Sequence, residues 1–473
     1  MTDVVNKLWG FCHTLRHDGV DYGDYIEQIT YLLFLKMANE TGKVKLPKDC
    51  SWPDLVKLTG TDLSDGYVDI LRTLGKTPGI LGDIYSGAQS RFTNPVSLKK
   101  LIGLIDETEW TTLATDVKAD AYEGLLEKAA AEGKKGAGQY FTPRIAIQSI
   151  VRCLKPDPRA HAEFTICDPA CGTAGFLVAA YEWLVHDAAG QKDRELWKRA
   201  RTRTYFGEEL VARPRRLALM NLHLHGVEPT IRLRDALYDP PLADRFDAVL
   251  TNPPFGTKGA GAVPDREDFT IETSNKQLNF VQHVLTILKP GGRAAMVLPD
   301  NCLFADKAGE VLEILTQDCD LHTVLRLPRG TFAPYSQGVR ANVLFFSKGY
   351  PTERTWMYDA RSGVPSVTKK ERPLTREHFS AFERCFGPDP NGRSTRRAAD
   401  STDDRWRSFH ISDVKGARFK LDKLKWLPDA EADEDGEMPE PEELVQRLLE
   451  RLRLAADEVA GLAEALEGNG GTA

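Results

Sequence analysis

The chain has 473 residues, 41% hydrophobic and 28% charged, a balance that fits two or three soluble globular domains with enough apolar material for a sizeable core. No apolar run approaches the roughly 18 residues of a membrane span, and the start MTDVVNKLWGFCHTLRHDG has no basic region followed by an apolar core, so neither a membrane nor a secretory destination is supported and a cytoplasmic one is expected. The net charge of −7 is local: residues 429–443 (DAEADEDGEMPEPEE) hold nine acids and no base, the other 458 residues sum to +2, and charge neither demands nor excludes a nucleic-acid partner.

In chain order, residues 1 to about 130 read as helical, with Tyr25, Ile26, Ile29, Leu32, Leu33 and Met37 at helix spacing in DYIEQITYLLFLKMANE. EKAAAEGKKGAGQ (127–139) then breaks the pattern and marks a domain boundary. From about 150 to 350, short β-rich runs alternate with helical stretches: FTIC (164–167), TYFG (204–207), IRLR (231–234), FDAVL (246–250), RAAMVLP (293–299), HTVLRLP (322–328) and NVLFFSK (342–348). Such alternation implies a parallel, doubly wound α/β sheet with ligands at the carboxyl ends of its strands. The expected divisions are a helical domain over 1–130, the sheet domain over 131–385, a polar and acidic linker over 386–443, and a helix over 444–473. In that last helix Val445, Leu448, Leu452, Ala455, Val459, Leu462 and Leu466 keep a heptad seam, which suits a partner helix or a fold back onto its own domain. Basic clusters KRARTR (198–203) and ARPRR (212–216) suit phosphate or plain helix surface.

The eight cysteines, Cys12, Cys50, Cys153, Cys167, Cys171, Cys302, Cys319 and Cys385, form no C-x-x-C pair and are expected as core thiols. His223 and His225 stand two apart and do not face one another on a helix, so no metal site is expected there.

Chemistry gathers at the strand ends. In CDPACGTAGFL (167–177), Gly172 and Gly175 permit a tight strand-to-helix turn, and the helix start behind it offers N–H groups to an anionic part of a small cofactor. A dinucleotide is disfavoured: G-x-G-x-x-G is absent, and Glu208 and Glu209 come 36 and 37 residues after Gly172. An acid ending the second strand, in FGEEL, suits ribose hydroxyls; Asp235, ending the third in RLRDAL, can accept from an adenine amino group. The fourth run ends in TNPPF (251–255), where two prolines force the chain out of the sheet and leave Asn252 at its end.

The series DPACGTAGFL, GEEL, RDAL, TNPPF and LKPGGRAAMVLP resembles the S-adenosylmethionine-dependent amino-methyltransferases that act on adenine N6. With AGQYFTPR (137–144), TSNKQLNFVQH (273–283) and LPRGTFAPYSQGVRANVLFFSKG (327–349), the resemblance narrows to the modification subunit of type I restriction-modification systems and covers most of the chain. It implies a helical N-terminal domain, a class I (Rossmann-like) methyltransferase sheet and a helical, coiled-coil-like C-terminal tail. S-adenosylmethionine is the implied methyl donor, with no metal. Implied donor contacts are the loop Gln139, Tyr140, Phe141, Thr142, Pro143 and Arg144, the turn Gly172, Thr173, Ala174 and Gly175 behind Asp168, Glu209 on the ribose, and Asp235. The class pattern has glycine where Ala174 stands.

The implied catalytic corner is Asn252, Pro253, Pro254 and Phe255. Adenine's N6 lone pair is delocalised into the ring; the Asn252 side-chain oxygen and the Pro253 carbonyl can accept both amino hydrogens and favour a pyramidal nitrogen, and Phe255 can stack on a base flipped out of the duplex. The implied partners are double-stranded DNA, a specificity subunit shared by two copies of this chain and met by its tail, and a motor-nuclease restriction subunit, since no P-loop occurs here. Rival readings are a glutamine or RNA methyltransferase with the same corner, or a non-catalytic assembly scaffold.

Overall fold

The computed structural model describes residues 9–11, 20–42, 44–110, 121–128, 141–255, 263–332, 339–368, 371–393, 404–427 and 449. The acidic run 429–443, Cys12 and, apart from Leu449, the heptad seam lie outside the described residues.

Asp21 starts helix α1 (Tyr22–Thr41) by accepting from the Asp24 N–H at 2.7 Å, and Gly42, with φ 60°, ends it. The spacing anticipated one apolar face, yet every residue from Tyr25 to Ala38 is buried. Several polar residues on this helix find partners in the packing. Gln28 donates to the Gln89 carbonyl (2.9 Å) and accepts from Tyr67 (3.1 Å), Thr30 meets the Tyr122 hydroxyl (2.7 Å), and Lys36 meets Asp106 (2.7 Å). Around α1 lie α2 (Trp52–Val56), α3 (Gly60–Gly75), α4 (Ile80–Tyr85), α5 (Pro95–Asp106) and the helical residues 121–128.

The rest of the described chain builds one sheet: α6 (Arg144–Leu154), β1 (Ile166–Asp168), α7 (Gly175–Asp187), α8 (Arg194–Thr202), β2 (Tyr205–Glu209), α9 (Ala212–Leu224), β3 (Thr230–Leu233), β4 (Phe246–Thr251), α10 (Lys276–Ile287), β5 (Leu288–Pro299), α11 (Ala308–Asp318), β6 (Cys319–Arg326), β7 (Ala341–Lys348), β8 (Arg354–Asp359), α12 (Glu377–Phe386), β9 (Trp406–His410) and α13 (Ile411–Gly416). The strand order is β3-β2-β1-β4-β5-β7-β6-β8-β9. The pleat sends alternate residues to opposite faces: on β7, Val343 and Phe345 join one apolar cluster while Leu344 and Phe346 join the other. The first cluster packs α6, α7, α9 and α12 on one face and runs without a break into the N-terminal helices; the second packs α10 and α11 on the opposite face.

The expectation of an all-parallel sheet holds from β3 to β5 and fails beyond. β7 runs antiparallel to both β5 and β6, and β9 antiparallel to β8. The chain returns from β6 to β7 through residues 327–340, with no helix among the described residues of that stretch to carry a parallel crossover. β8 and β9 were not anticipated. β9 and α13 fall inside 386–443, where only a polar and acidic linker was expected. No described helix is long and apolar enough to cross a membrane.

The ARPRR cluster has a structural use. On the first turns of α9, Arg213 pairs with Asp24, Arg215 with Asp83 at 2.7 Å, and Arg216 with Glu27 while donating to the Ser86 carbonyl at 2.7 Å. Three cations of the sheet domain thus hold α1 and α4, and the phosphate reading of this cluster is set aside. The side chains of Glu27 and Arg216 are only 8% and 10% exposed, so removing one leaves the other's charge buried. Arg216→Ala should lower stability by about 3–5 kcal/mol, read as a fall in urea midpoint. Arg72→Ala, which breaks the exposed pair with Asp69, should stay within about 1 kcal/mol.

Candidate functional site

The sheet's order reverses between β1 and β4: from β1 the chain winds outward to β2 and β3, and β4 lies on the other side. Parallel pairing of Ile166 with Ala248 and Cys167 with Val249 sets the ends of both strands side by side. The loops leaving them diverge and open a crevice at this switch point. The glycine turn and the TNPPF corner are those two loops.

In the turn, Gly172 has φ 53° and Ala174 has φ 66° before α7 begins at Gly175. A Cβ built at Gly172 meets nothing within 4 Å, so the turn presents open backbone on that side. Ala174 occupies the left-handed region, where a side chain costs about 1–2 kcal/mol, and its N–H donates to the Cys171 carbonyl at 2.7 Å.

The acids differ in their engagement. Glu209 ends β2 and turns back to the glycine turn, accepting from the Gly172 N–H at 3.0 Å and the Val211 N–H at 2.8 Å. Burial raises its pKa while those N–H groups oppose the rise. Asp168, 1% exposed at the end of β1, is pushed up to about 7, chiefly by burial and further by the Glu209 charge, against the lowering pull of the Thr251 side chain and of the Ala170 N–H at 3.1 Å. Asp235 lies two residues past β3, and its Oδ1 accepts from the Leu237 and Tyr238 N–H groups, 2.9 and 3.1 Å away, in a local turn.

At the corner, Asn252 Nδ2 donates to Thr142 Oγ1 at 2.7 Å, joining two residues 110 apart in sequence. With the amide's donor end engaged, its acceptor faces the other way. Asn252 Oδ1 is buried and has no hydrogen-bond partner among the described residues. Pro253 and Phe255 are buried and Pro254 half-buried. The Phe255 ring meets the Phe332 ring at 5.6 Å and 73°, edge to face. Nothing in the sequence around Phe332 pointed to this contact.

Gln139 and Tyr140 lie outside the described residues. Phe141 is half-buried, Thr142 and Pro143 are buried, and Pro143 ends at the start of α6. Arg144 was expected to touch the donor, but its guanidinium is taken by Glu123 at 2.5 Å and Glu182 at 2.6 Å. It ties this loop to the helical segment 121–128 and to α7. His225 joins the same cluster, bonded through Nδ1 to the Asn221 carbonyl at 2.8 Å and lying 3.4 Å from Glu182. Burial opposes its charged form, but Glu182, the Asn221 carbonyl and Glu123 outweigh that and raise its pKa. Beside the cluster lies a cavity of about 310 Å³ walled by Phe141, Thr142, Thr173, Gly175, Glu182 and Asn221 among others. Glu209, Asp235 and Asn252 are not in its walls.

Comparison with known proteins matches the model of the N-6 DNA Methylase family to residues 113–435 and that of the HsdM N-terminal domain to residues 4–128. The chain is 37% identical to the type I restriction enzyme StySPI methylase subunit of Salmonella potsdam, over 97% of this chain and 94% of that one, and equally so to the EcoKI methylase subunit of Escherichia coli K12. Among solved structures, the EcoKI M protein superposes with a TM-score of 0.55 at 33% identity, covering 100% of this chain and 97% of that one. A chain from a structure describing complex assembly of the type I R-M system superposes at 0.73 with 28% identity, covering 98% of each.

The Asp168 carboxyl gives a testable signature. Its folded pKa of about 7 lies above an unfolded value of roughly 4, so between those values the folded state holds the extra proton. This group's contribution to stability is full below about 4 and is lost as pH rises through 7, by at most about 1.4 kcal/mol per unit. The stability of Asp168→Asn relative to the parent should climb from pH 4 to 7 and level off above, read from urea midpoints; parallel curves would mean that Asp168 ionises as an ordinary carboxyl.

Proposed function

The chain belongs to the N-6 DNA methylase family, among the modification subunits of type I restriction enzymes, and from that premise we propose that Asn252 and the residues around it carry out the transfer. The protein is an adenine-specific DNA methyltransferase; it moves a methyl group from S-adenosylmethionine to N6 of adenine. The readings as a glutamine or RNA methyltransferase, or as an inert scaffold, are not favoured by that membership.

Asn252 Oδ1 and the Pro253 carbonyl accept the two amino hydrogens of a flipped adenine, which draws the nitrogen toward a pyramidal geometry and exposes its lone pair. The observation that carries this reading is the buried Asn252 Oδ1, which has no hydrogen-bond partner among the described residues while Nδ2 is held by Thr142 Oγ1. Phe255, backed by Phe332, offers a ring edge or face to the base. S-adenosylmethionine, when bound, supplies a sulfonium methyl to that nitrogen. The residues proposed to hold it are the turn Gly172 to Gly175 with its open backbone, Asp168 beneath it, Glu209 for the ribose hydroxyls, Asp235 for the adenine amino group, and the loop Gln139 to Pro143. Arg144 braces that loop from behind. Fit is supported by the free space above Gly172 and by Glu209 already oriented by two N–H groups.

The relatives are named as subunits, which supports work inside a larger assembly on DNA. Within it we assign two copies of this chain to one specificity subunit, contact through the heptad residues 444–473, a restriction subunit as a further partner, no metal in this chain, and a cytoplasmic setting. The divisions 1–130 and 444–473 remain proposed, while the sheet domain proposed over 131–385 extends through β9 and α13 into the segment 386–443 that was expected as linker.

Asn252→Ala, co-expressed with its specificity subunit, should lose methyl incorporation into unmodified DNA by on the order of 10² or more. Donor binding by calorimetry should be largely kept. Near-normal incorporation would remove Asn252 from the chemistry.

A further inference from the structure

We propose that Gln277 is a positioning residue that fixes the backbone of the Asn252 to Phe255 corner, an inference that rests on the reading of that corner as the site of transfer. Gln277 is 0% exposed, and its Nε2 donates to the Pro254 carbonyl at 2.6 Å. The two residues lie on different elements, 23 positions apart.

The corner is short of ways to be held. Neither Pro253 nor Pro254 has an N–H, so no backbone donor can anchor these two residues to the sheet or to a neighbouring loop. Their rings fix φ, which leaves ψ as the soft torsion at each. The torsion at Pro254 decides where Phe255 stands relative to Asn252, and a bond to the Pro254 carbonyl fixes the peptide plane that this torsion turns. Thr142 holds the Asn252 side chain from one side. Gln277 holds the backbone from the other.

The mount of Gln277 is itself stiff. It is the second residue of α10, whose start is capped by Asn275, with Oδ1 accepting from the Gln277 and Leu278 N–H groups at 3.1 Å each. The strap leading into the helix is stitched to it by side-chain amides. Asn279 donates to the Thr273 carbonyl at 2.8 Å, and Gln282 exchanges bonds with both backbone groups of Ile271, at 2.8 and 2.9 Å. A primary amide buried completely and turned onto a loop carbonyl is costly to place, and a donor of this length is what the carbonyl requires. A carboxylate would repel it, and an ammonium would be buried without a counter-ion, so a neutral N–H donor of similar reach is what the site takes.

Two readouts test the assignment, using the full chain co-expressed with its specificity subunit. In single-turnover methylation of unmodified DNA, Gln277→Leu should lower the rate about 10- to 100-fold while calorimetric donor affinity stays near the parent's and the thermal midpoint falls only modestly, and Gln277→His, which offers a neutral N–H donor at similar reach, should recover much of the rate. In hydrogen–deuterium exchange, the peptide over 251–255 carries backbone amide hydrogens only at Thr251, Asn252 and Phe255, and in the Leu variant its exchange should speed up on the order of tenfold. Unchanged exchange and rate in Gln277→Leu would overturn the proposal, as would a lost rate accompanied by an equal loss of donor affinity and of folded protein, which is the mark of a merely structural residue. If Asn252→Ala methylates at near the parent's rate while the exchange effect in Gln277→Leu is present, the reading of the corner fails and the fixing of its backbone by Gln277 stands.

Discussion

The side-by-side pairing of β1 and β4 is the constraint from which the site follows. Because the strand order reverses there, the two loops leaving the sheet separate and each is free to carry a different task. The glycine turn exposes backbone and the proline corner exposes one amide. Neither loop could do this in the middle of a uniformly wound sheet, where a neighbouring crossover would cover it. The contact from Thr142 to Asn252 then closes the gap between the segment ahead of the sheet and the strand end.

The helical front is built into this arrangement instead of being appended to it. Arg213, Arg215 and Arg216 hold α1 and α4 by charge, a single apolar cluster runs from Tyr25 to Phe382, and Glu123 reaches Arg144 two residues from Thr142. A displacement of the helical segment 121–128 would therefore be felt at the loop that holds the Asn252 amide, through one guanidinium.

Much of this was legible in the chain because the signals were local. Apolar runs ending in CDPACG or TNPPF mark strand ends by turn chemistry alone, and the residues there stand at strand ends as expected. The direction of β7 was not legible: NVLFFSK is buried on both faces and reads identically whichever way it runs. RTWMYD and WRSFH escaped notice as β8 and β9 because their polar flanks resemble linker. ARPRR could not be assigned because a cation's partner is decided in space, here by acids 132 to 189 residues earlier. The same holds for Arg144, for Gln277 and for the embrace of Asn252 by Thr142.

The buried acceptor at Asn252 has a thermodynamic side. A carbonyl-type oxygen shut away from solvent has already lost its hydration during folding, at a cost on the order of 1–3 kcal/mol. The folded chain carries that as a standing strain on its own stability. An incoming amino group need not strip water from this oxygen, only from itself, so part of the desolvation that recognition normally demands at the moment of encounter has been met beforehand by the packing of the core. Selection for a drier corner and selection for a more stable fold then pull in opposite directions at this one atom.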